Sequence, residues 1–496
     1  MKTMYKIIFL IVTLVPILTG CSQFEEMNHN PNQQTYGKAT PSKLMQDIIY
    51  SGHWTIFYRS WRINSQLMQY SMYVNGQELT ANYDIRATES TSTWEYYYRW
   101  ASNAAHMYEM AIKNEDENLQ AVALTLKVYI AEVITALFGE VPYSEAFQWE
   151  NGISHPKYDT QEEVYTQMIN ELNKANTLYN LSGQMDYPER DLLYQGDFSK
   201  WQKFTNSLRL RLLMRVSKCE MAEMDPIFEI QNMLDNPSIY PLFASNADAA
   251  ILKYTGVNPF YNGFGPSTAT DPMSQNNTLG ATLVDLLNAS SDPRLPYYAK
   301  PKNGEYIGMA SGMNNDYIAE MRDIACTYAS SLSTDTSPST LMNYAEVLFI
   351  LAEAQFRGLV TTGTSTEDLY NQSVTASIRQ WTGNEAFEPG AFLQSPSSAA
   401  YNGTLERIME QKYIAMFLVG YEAWCDYRRT GLPEMPIGPA MVNKDEFGNV
   451  VLPTRLRYPL ITQTTNYENW KAAVARLDTQ ADDMLSKVWF AKGNKY

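Results

Sequence analysis

Residues 196–215 read GDFSKWQKFTNSLRLRLLMR. Trp201, Phe204, Leu208, Leu212 and Met214 lie broadly on one side of a 3.6-residue period, which predicts an amphipathic helix from Ser199 to Cys219 with that side in the core. Arg209, Arg211 and Arg215 interrupt the apolar pattern and are placed to pair with carboxylates, Glu171 and Glu346 among the candidates.

Working outward, the same period recurs in pairs. Asp159 or Thr160 to Leu181 precedes the quoted helix, with Gly183, Pro188 and Gly196 in the connection. Thr88–Lys113 and Leu119–Phe138 form an earlier pair around the break at 114–118, and Gly139 ends it. Ser339–Arg357 with Glu367–Trp381 form a third pair, and Leu405–Val419 with Tyr421–Arg429 a fourth, stopped by Gly431 and Pro433. Thr40, Pro41 and Ser42 open a further helix that runs at least to Tyr58. The fold class is therefore mainly α, with about four tetratricopeptide-like hairpins, each burying its face on the next. Segments 236–271 and 293–338 break this pattern: they are rich in Gly, Pro, Asn, Ser and Tyr and read as long loops with short strands. Loops of that length in a compact protein are usually functional, so binding residues are sought there.

Composition narrows the function. The chain has 496 residues and a formal charge of −16, with no basic stripe, which removes the electrostatic footprint of a nucleic-acid binder. It carries 35 Tyr, 10 Trp and 18 Phe, and such rings suit uncharged polar ligands such as sugars. Lys2 and Lys6 precede an apolar run from Ile7 to Leu18, then Leu18-Thr19-Gly20-Cys21. That run is too short to span a bilayer. Small residues directly before a cysteine resemble a bacterial lipoprotein signal, so residues 1–20 are expected to be removed and Cys21 to be lipidated. Loss of Lys2 and Lys6 takes the charge from −16 to −18, leaving acyl chains and not surface charge to hold the protein at a membrane. Residues 21–39 read as a polar tether, and 40–496 as a single helical domain with loop-rich insertions near 236–338. Cys219, Cys326 and Cys425 give no disulfide framework and read as small buried hydrophobes.

Several blocks occur in a telling order. Gly196–Arg215 is preceded by Phe138-Gly139-Glu140-Val141-Pro142-Tyr143-Ser144-Glu145-Ala146 and followed by Tyr344-Ala345-Glu346-Val347-Leu348 through Glu353-Ala354. Glu422 to Pro433, with Asp426-Tyr427-Arg428-Arg429-Thr430-Gly431, and Arg457-Tyr458-Pro459 close the series. Together they resemble the SusD/RagB family of outer-membrane nutrient-binding lipoproteins, most closely its SusD-like branch. The resemblance implies four tetratricopeptide-like hairpins supporting an irregular, loop-rich half. It also implies a lipid-anchored, surface-exposed position on the outer membrane and a SusC-like TonB-dependent transporter as partner. The expected function is capture of a nutrient, an oligosaccharide first, for delivery to that barrel; peptides or other non-sugar nutrients are the alternative, and a surface glycosidase a more distant one.

No family motif locates the ligand. The loop Tyr254 to Phe264 is the first candidate, because Tyr254, Phe260, Tyr261 and Phe264 alternate there with Asn262 and its neighbours. Rings can stack on the C–H face of a sugar while amides exchange paired hydrogen bonds with hydroxyls. Tyr73 and Asn75, after the first long helix, are the second. Catalysis finds little support. His29, His53, His106 and His155 have no metal-ligand spacing, no phosphate loop or nucleophile elbow occurs, and no cofactor is implied. Asn443 to Thr454 imitates a calcium loop, but Phe447 stands where a side-chain oxygen is required and Thr454 where a bidentate Glu is, so it reads as a turn.

Overall fold

A computed structural model describes residues 40–74, 80–148, 151–268, 273 and 275–496. The expected signal peptide, Cys21, the tether and Asn75 lie outside these residues.

The first helical segment runs as α1 (Pro41–Asp47), a π-helical turn (Ile48–Gly52) and α2 (His53–Arg62), followed by α3 (Asn64–Leu67). Thr40 occupies the N-cap, yet its hydroxyl meets Ser42 Oγ at 3.1 Å and does not cap the helix. The first hairpin is α4 (Ala87–Lys113) and α5 (Glu117–Phe138); Asp116 Oδ1 accepts the Leu119 amide at 2.9 Å, and Gly139 ends α5 at φ +87°. Ala101, Ala104 and Ala111 on α4 are buried and let the two backbones approach closely. Helix α5 is long and apolar enough to cross a membrane, but nearly all of it is enclosed by the protein. The second hairpin is α6 (Gln161–Leu178), opened by a capping box between Thr160 and Glu163, and α7 (Phe198–Val216), capped by Asp197. Helix α6 packs on α5, which stacks the second hairpin on the first.

Helices α8 (Pro226–Asp235), α9 (Ala281–Ser290), α10 (Leu295–Tyr298) and α11 (Asn315–Met321) punctuate the loop-rich half. Its strands form three short antiparallel pairs: β1 (Ser71–Tyr73) with β3 (Asn277–Leu279), β2 (Ala250–Leu252) with β6 (Ser339–Met342), and β4 (Ala299–Lys300) with β5 (Thr327–Tyr328). The segment 293–338 thus holds short helices as well as strands.

The third hairpin is α12 (Tyr344–Phe356) and α13 (Thr366–Thr382). Residues 339–342, expected at the start of its first helix, are strand β6. Asn343 takes the N-cap and accepts the Glu346 amide at 2.7 Å, so the helix cannot begin earlier. The fourth pair, α14 (Leu405–Ala415) and α15 (Gly420–Thr430), is splayed: α14 lies on α12 and α13, whereas α15 packs against α2, α3, α5 and α7. Lys412 Nζ on α14 and Asp426 Oδ2 on α15 meet at 2.6 Å across the gap. Helix α16 (Leu460–Thr465) packs on α4 and on α17 (Tyr467–Ala475), and a 3-10 turn at Trp489–Ala491 then rests on α6 and α15.

The arginines of α7 tie these hairpins together. Arg211 reaches Glu346 on α12 through Nε–Oε1 at 2.5 Å and Nη2–Oε2 at 2.7 Å, and Glu132 on α5 at 3.0 Å. Arg215 bonds the other oxygen of Glu132 and also Glu422 on α15. Arg209 pairs with Glu229 on α8 at 2.6 Å, while Glu171 is taken by Lys127 at 2.7 Å. Buried charges persist only when paired and hydrogen-bonded, so these contacts fix how the hairpins stack. Arg429 similarly bridges Glu353 and Asp426, and Arg428 lies 3.7 Å over the Trp424 ring, so both serve the scaffold. Cys219, Cys326 and Cys425 are free and buried.

Candidate functional site

The π turn at Ile48–Gly52 sits within the first helical segment, and such turns are frequent at functional sites. Tyr50, Trp54 and Tyr58 follow at four-residue intervals and are each half-buried. They form a stripe, with Trp54 and Tyr58 stacked at 5.9 Å between ring centres. The loop Tyr254–Phe264 crosses it. Tyr50 Oη lies 2.7 Å from the Pro259 carbonyl oxygen and 2.9 Å from that of Tyr261, and Phe260 meets the Tyr50 ring edge-on at 5.2 Å. Phe264 wedges among Trp54, Phe57 and Trp61 at 5.0, 5.7 and 4.8 Å. Gly263 lies against the indole so closely that a Cβ there would fall 2.0 Å from Trp54 Cζ2. Only glycine allows that approach. The product is an aromatic ledge, partly open to solvent and held from both sides.

The loop residues divide by role. Phe264 is fully buried, and Tyr254 is buried with its hydroxyl 3.0 Å from Ser339 Oγ. Ser339 Oγ also lies 2.9 Å from Nε2 of His53, whose Nδ1 meets Tyr129 Oη at 2.9 Å. Burial holds the His53 imidazole down to about 3, so it is neutral at any physiological pH. Asn262 spends its amide inside the protein: Nδ2 donates to the Ser337 carbonyl at 2.7 Å, and Oδ1 accepts the Phe264 amide at 2.8 Å. Tyr254, Asn262 and Phe264 therefore shape the loop, and the rings of the loop left partly open to solvent are those of Phe260 and Tyr261, both half-buried. Tyr73 lies elsewhere, paired with Asn277 across β1 and β3, and lines a separate small pocket with Met72, Ala81, Asn82 and Met309. The stripe Tyr50, Trp54 and Tyr58 is the part that loop-centred reading missed, although its four-residue spacing was a usable signal.

Among the described residues no cluster of His, Cys, Asp or Glu is arranged to hold a metal ion. Asp445 of the calcium-like segment accepts the Phe447 amide at 3.0 Å and the Asn449 amide at 2.8 Å, closing an ordinary Asx turn.

A family model described as "Starch-binding associating with outer membrane" matches residues 31–459. The chain belongs to the SusD-like family. Solved SusD-like structures agree with the fold throughout. A chitin-binding protein is 27% identical and aligns over 91% of this chain and 100% of its own, with a TM-score of 0.77. A SusD homolog from Bacteroides fragilis NCTC 9343 is 26% identical over 92% of this chain and 100% of its own, also at 0.77. A chitin-binding SusD homolog from Flavobacterium johnsoniae, 22% identical over 92% of this chain and 99% of its own, superposes at 0.77 and supports the fold alone. No curated protein sequence matches the chain. The SusD-like fold accounts for the helical hairpins and for the loop-rich half that carries the ledge.

Proposed function

We propose that this SusD-like protein captures oligosaccharides at the cell surface and passes them to a SusC-like TonB-dependent barrel, anchored to the outer membrane through acyl chains on Cys21. The observation that carries the reading is the ledge formed by Tyr50, Trp54, Tyr58 and Phe260, with the half-buried Tyr261 in the loop that crosses it. Its rings are packed on one side, so little side-chain freedom remains to be lost when a sugar stacks on them. Tyrosine hydroxyls at its edge exchange hydrogen bonds with sugar hydroxyls. Chitin-binding among solved relatives, and a family description that names starch, favour a glycan over other nutrients. The acidic body offers no attraction to an anionic membrane, which leaves anchoring to the lipid and docking on the barrel to shape and polar contacts.

Two cellular measurements test this reading. Cys21→Ser should move the protein from the membrane fraction to the soluble fraction, and an affinity tag on the parent protein should retain a TonB-dependent barrel from detergent extracts. Membrane retention of the variant, or no barrel in the retained material, would contradict it.

A further inference from the structure

A cleft with a volume of about 460 Å³ lies away from the ledge, between α13, the segment 244–246 and the segment 385–389. That size is in the range of small-molecule sites. Its wall combines the half-buried ring of Tyr344 with polar side chains, chiefly Asn246, Asn371, Gln372 and Thr375. Two of these carry an unmet requirement of one kind. Asn246 Oδ1 and Asn371 Oδ1 are buried without a hydrogen-bond partner, and both are acceptors. The Asn246 amide is held in that orientation because its Nδ2 donates to the Ala376 carbonyl at 3.1 Å. Thr375 Oγ1 donates to the Asn371 carbonyl at 2.7 Å, which leaves the hydroxyl only lone pairs to offer.

The charges point the same way. Among the described residues Arg379 is the one cation lining the cleft, and it is partly engaged: Nε donates to the Phe387 carbonyl at 3.0 Å and Nη2 to Glu388 Oε1 at 3.0 Å. Asp368, Glu385 and Glu388 stand around the opening. A ligand with a carboxylate or phosphate would meet net negative charge. A ligand rich in hydrogen-bond donors would instead meet the carboxylates and the amide and hydroxyl oxygens of the wall, with an aromatic face beside them.

We propose that this cleft is a second saccharide site, which takes a sugar unit offering hydroxyl or amino hydrogens and carrying no acid group. The proposal extends the glycan-binding reading to a second place on the molecule and rests on it. Neutral and amine-bearing sugars share the required chemistry, so the probes are maltotetraose, a glucosamine tetramer and, as the acidic counterpart, a galacturonate tetramer.

The experiment uses the parent protein and Trp54→Ala, which disables the ledge, each with and without Asn371→Leu. Calorimetry should show maltotetraose or the glucosamine tetramer still binding Trp54→Ala. Adding Asn371→Leu should weaken that binding about tenfold, the loss of one hydrogen bond with its buried acceptor. Hydrogen exchange should slow over residues 366–382 and 385–389 on adding the same sugar, a readout that needs no variant. The galacturonate tetramer should give no heat with Trp54→Ala. Binding by the parent that vanishes in Trp54→Ala would overturn the cleft while leaving the glycan reading in place. Equal binding of the galacturonate tetramer, or an unchanged exchange pattern at saturation, would overturn the cleft as well. Absence of binding by the parent to these probes and to the wider plant, host and microbial oligosaccharides would bring down both.

Discussion

Arg211 on α7 and Glu346 on α12 face each other as two parallel hydrogen bonds, 2.5 and 2.7 Å long, with both side chains fully sealed from solvent. The pair joins the second hairpin to the third, and Glu132 extends it to the first. Removing Glu346 takes away both of these bonds and leaves the sealed Arg211 guanidinium paired with Glu132 and its Nε without a hydrogen bond. Glu346→Ala should cost about 3–5 kcal/mol in denaturant unfolding. An effect below about 1 kcal/mol, the range of exposed ion pairs, would show that the network does not hold the hairpins.

Gly263 and Trp54 are a second dependent pair. Alanine at 263 places a methyl group 2.0 Å from Trp54 Cζ2, and the indole must move. Gly263→Ala should lose about 1–3 kcal/mol, as overpacked sites do, and weaken glycan binding by displacing the ledge. Unchanged melting and unchanged affinity together would mean that the loop does not rest on the indole.

Within the loop, burial separates two outcomes. Tyr261→Ala should weaken glycan binding about tenfold while leaving the melting temperature unchanged, since its ring is half-exposed. Phe264→Ala empties a site among three rings and should cost about 3–5 kcal/mol. Thermal melts beside titrations distinguish them; a stability loss for Tyr261→Ala with no change in affinity would assign that ring to the scaffold.

These contrasts show what the sequence carries. Helix positions follow from apolar period and from stop signals such as Gly139, Gly383 and Gly431, each of which ends its helix at positive φ. Ser339 to Met342 reads as helix because its apolar residues continue the pattern of α12, and only the Asn343 cap separates strand from helix. That the arginines of α7 want carboxylate partners is legible, but which carboxylate each takes is not: Arg211 takes Glu346, whereas Glu171 goes to Lys127. Which rings of the Tyr254–Phe264 loop face inward was not: aromatic residues serve core and ligand alike, and the choice depends on Trp54, about two hundred residues away in sequence. The fourth pair looked like a hairpin because its connection is short; the splay arises from packing partners that no local pattern encodes.

Two buried carboxylates set opposite pH slopes. Burial raises Glu353, but Arg429, Lys412 and Arg357 outweigh it and hold the group near about 2, against an ordinary 4.5. Its stabilisation is complete above 4.5 and is lost as the pH falls toward 2. Glu422 is pushed up to about 7 by burial, with Glu346 and Glu132 adding to the rise against the pull of Arg215 and Arg211. The unfolded chain ionises it first, so stability falls as the pH rises from about 4.5 to about 7. Glu422→Gln should remove that decline and keep the acid-side loss. Urea melts at pH 5 and pH 8 check it: the variant should gain on the parent at pH 8 relative to pH 5, and an equal offset at both values would refute the assignment.

The measurement closest to the central claim is a calorimetric titration of the protein lacking residues 1–21 against plant, host and microbial oligosaccharides and casein peptides, with every mixture assayed for cleavage. Saturable binding of one glycan class, without product and weakened about tenfold by Trp54→Ala and by Tyr261→Ala, is the predicted result. Cleaved product, heat from peptides alone, or glycan binding indifferent to both substitutions would contradict it.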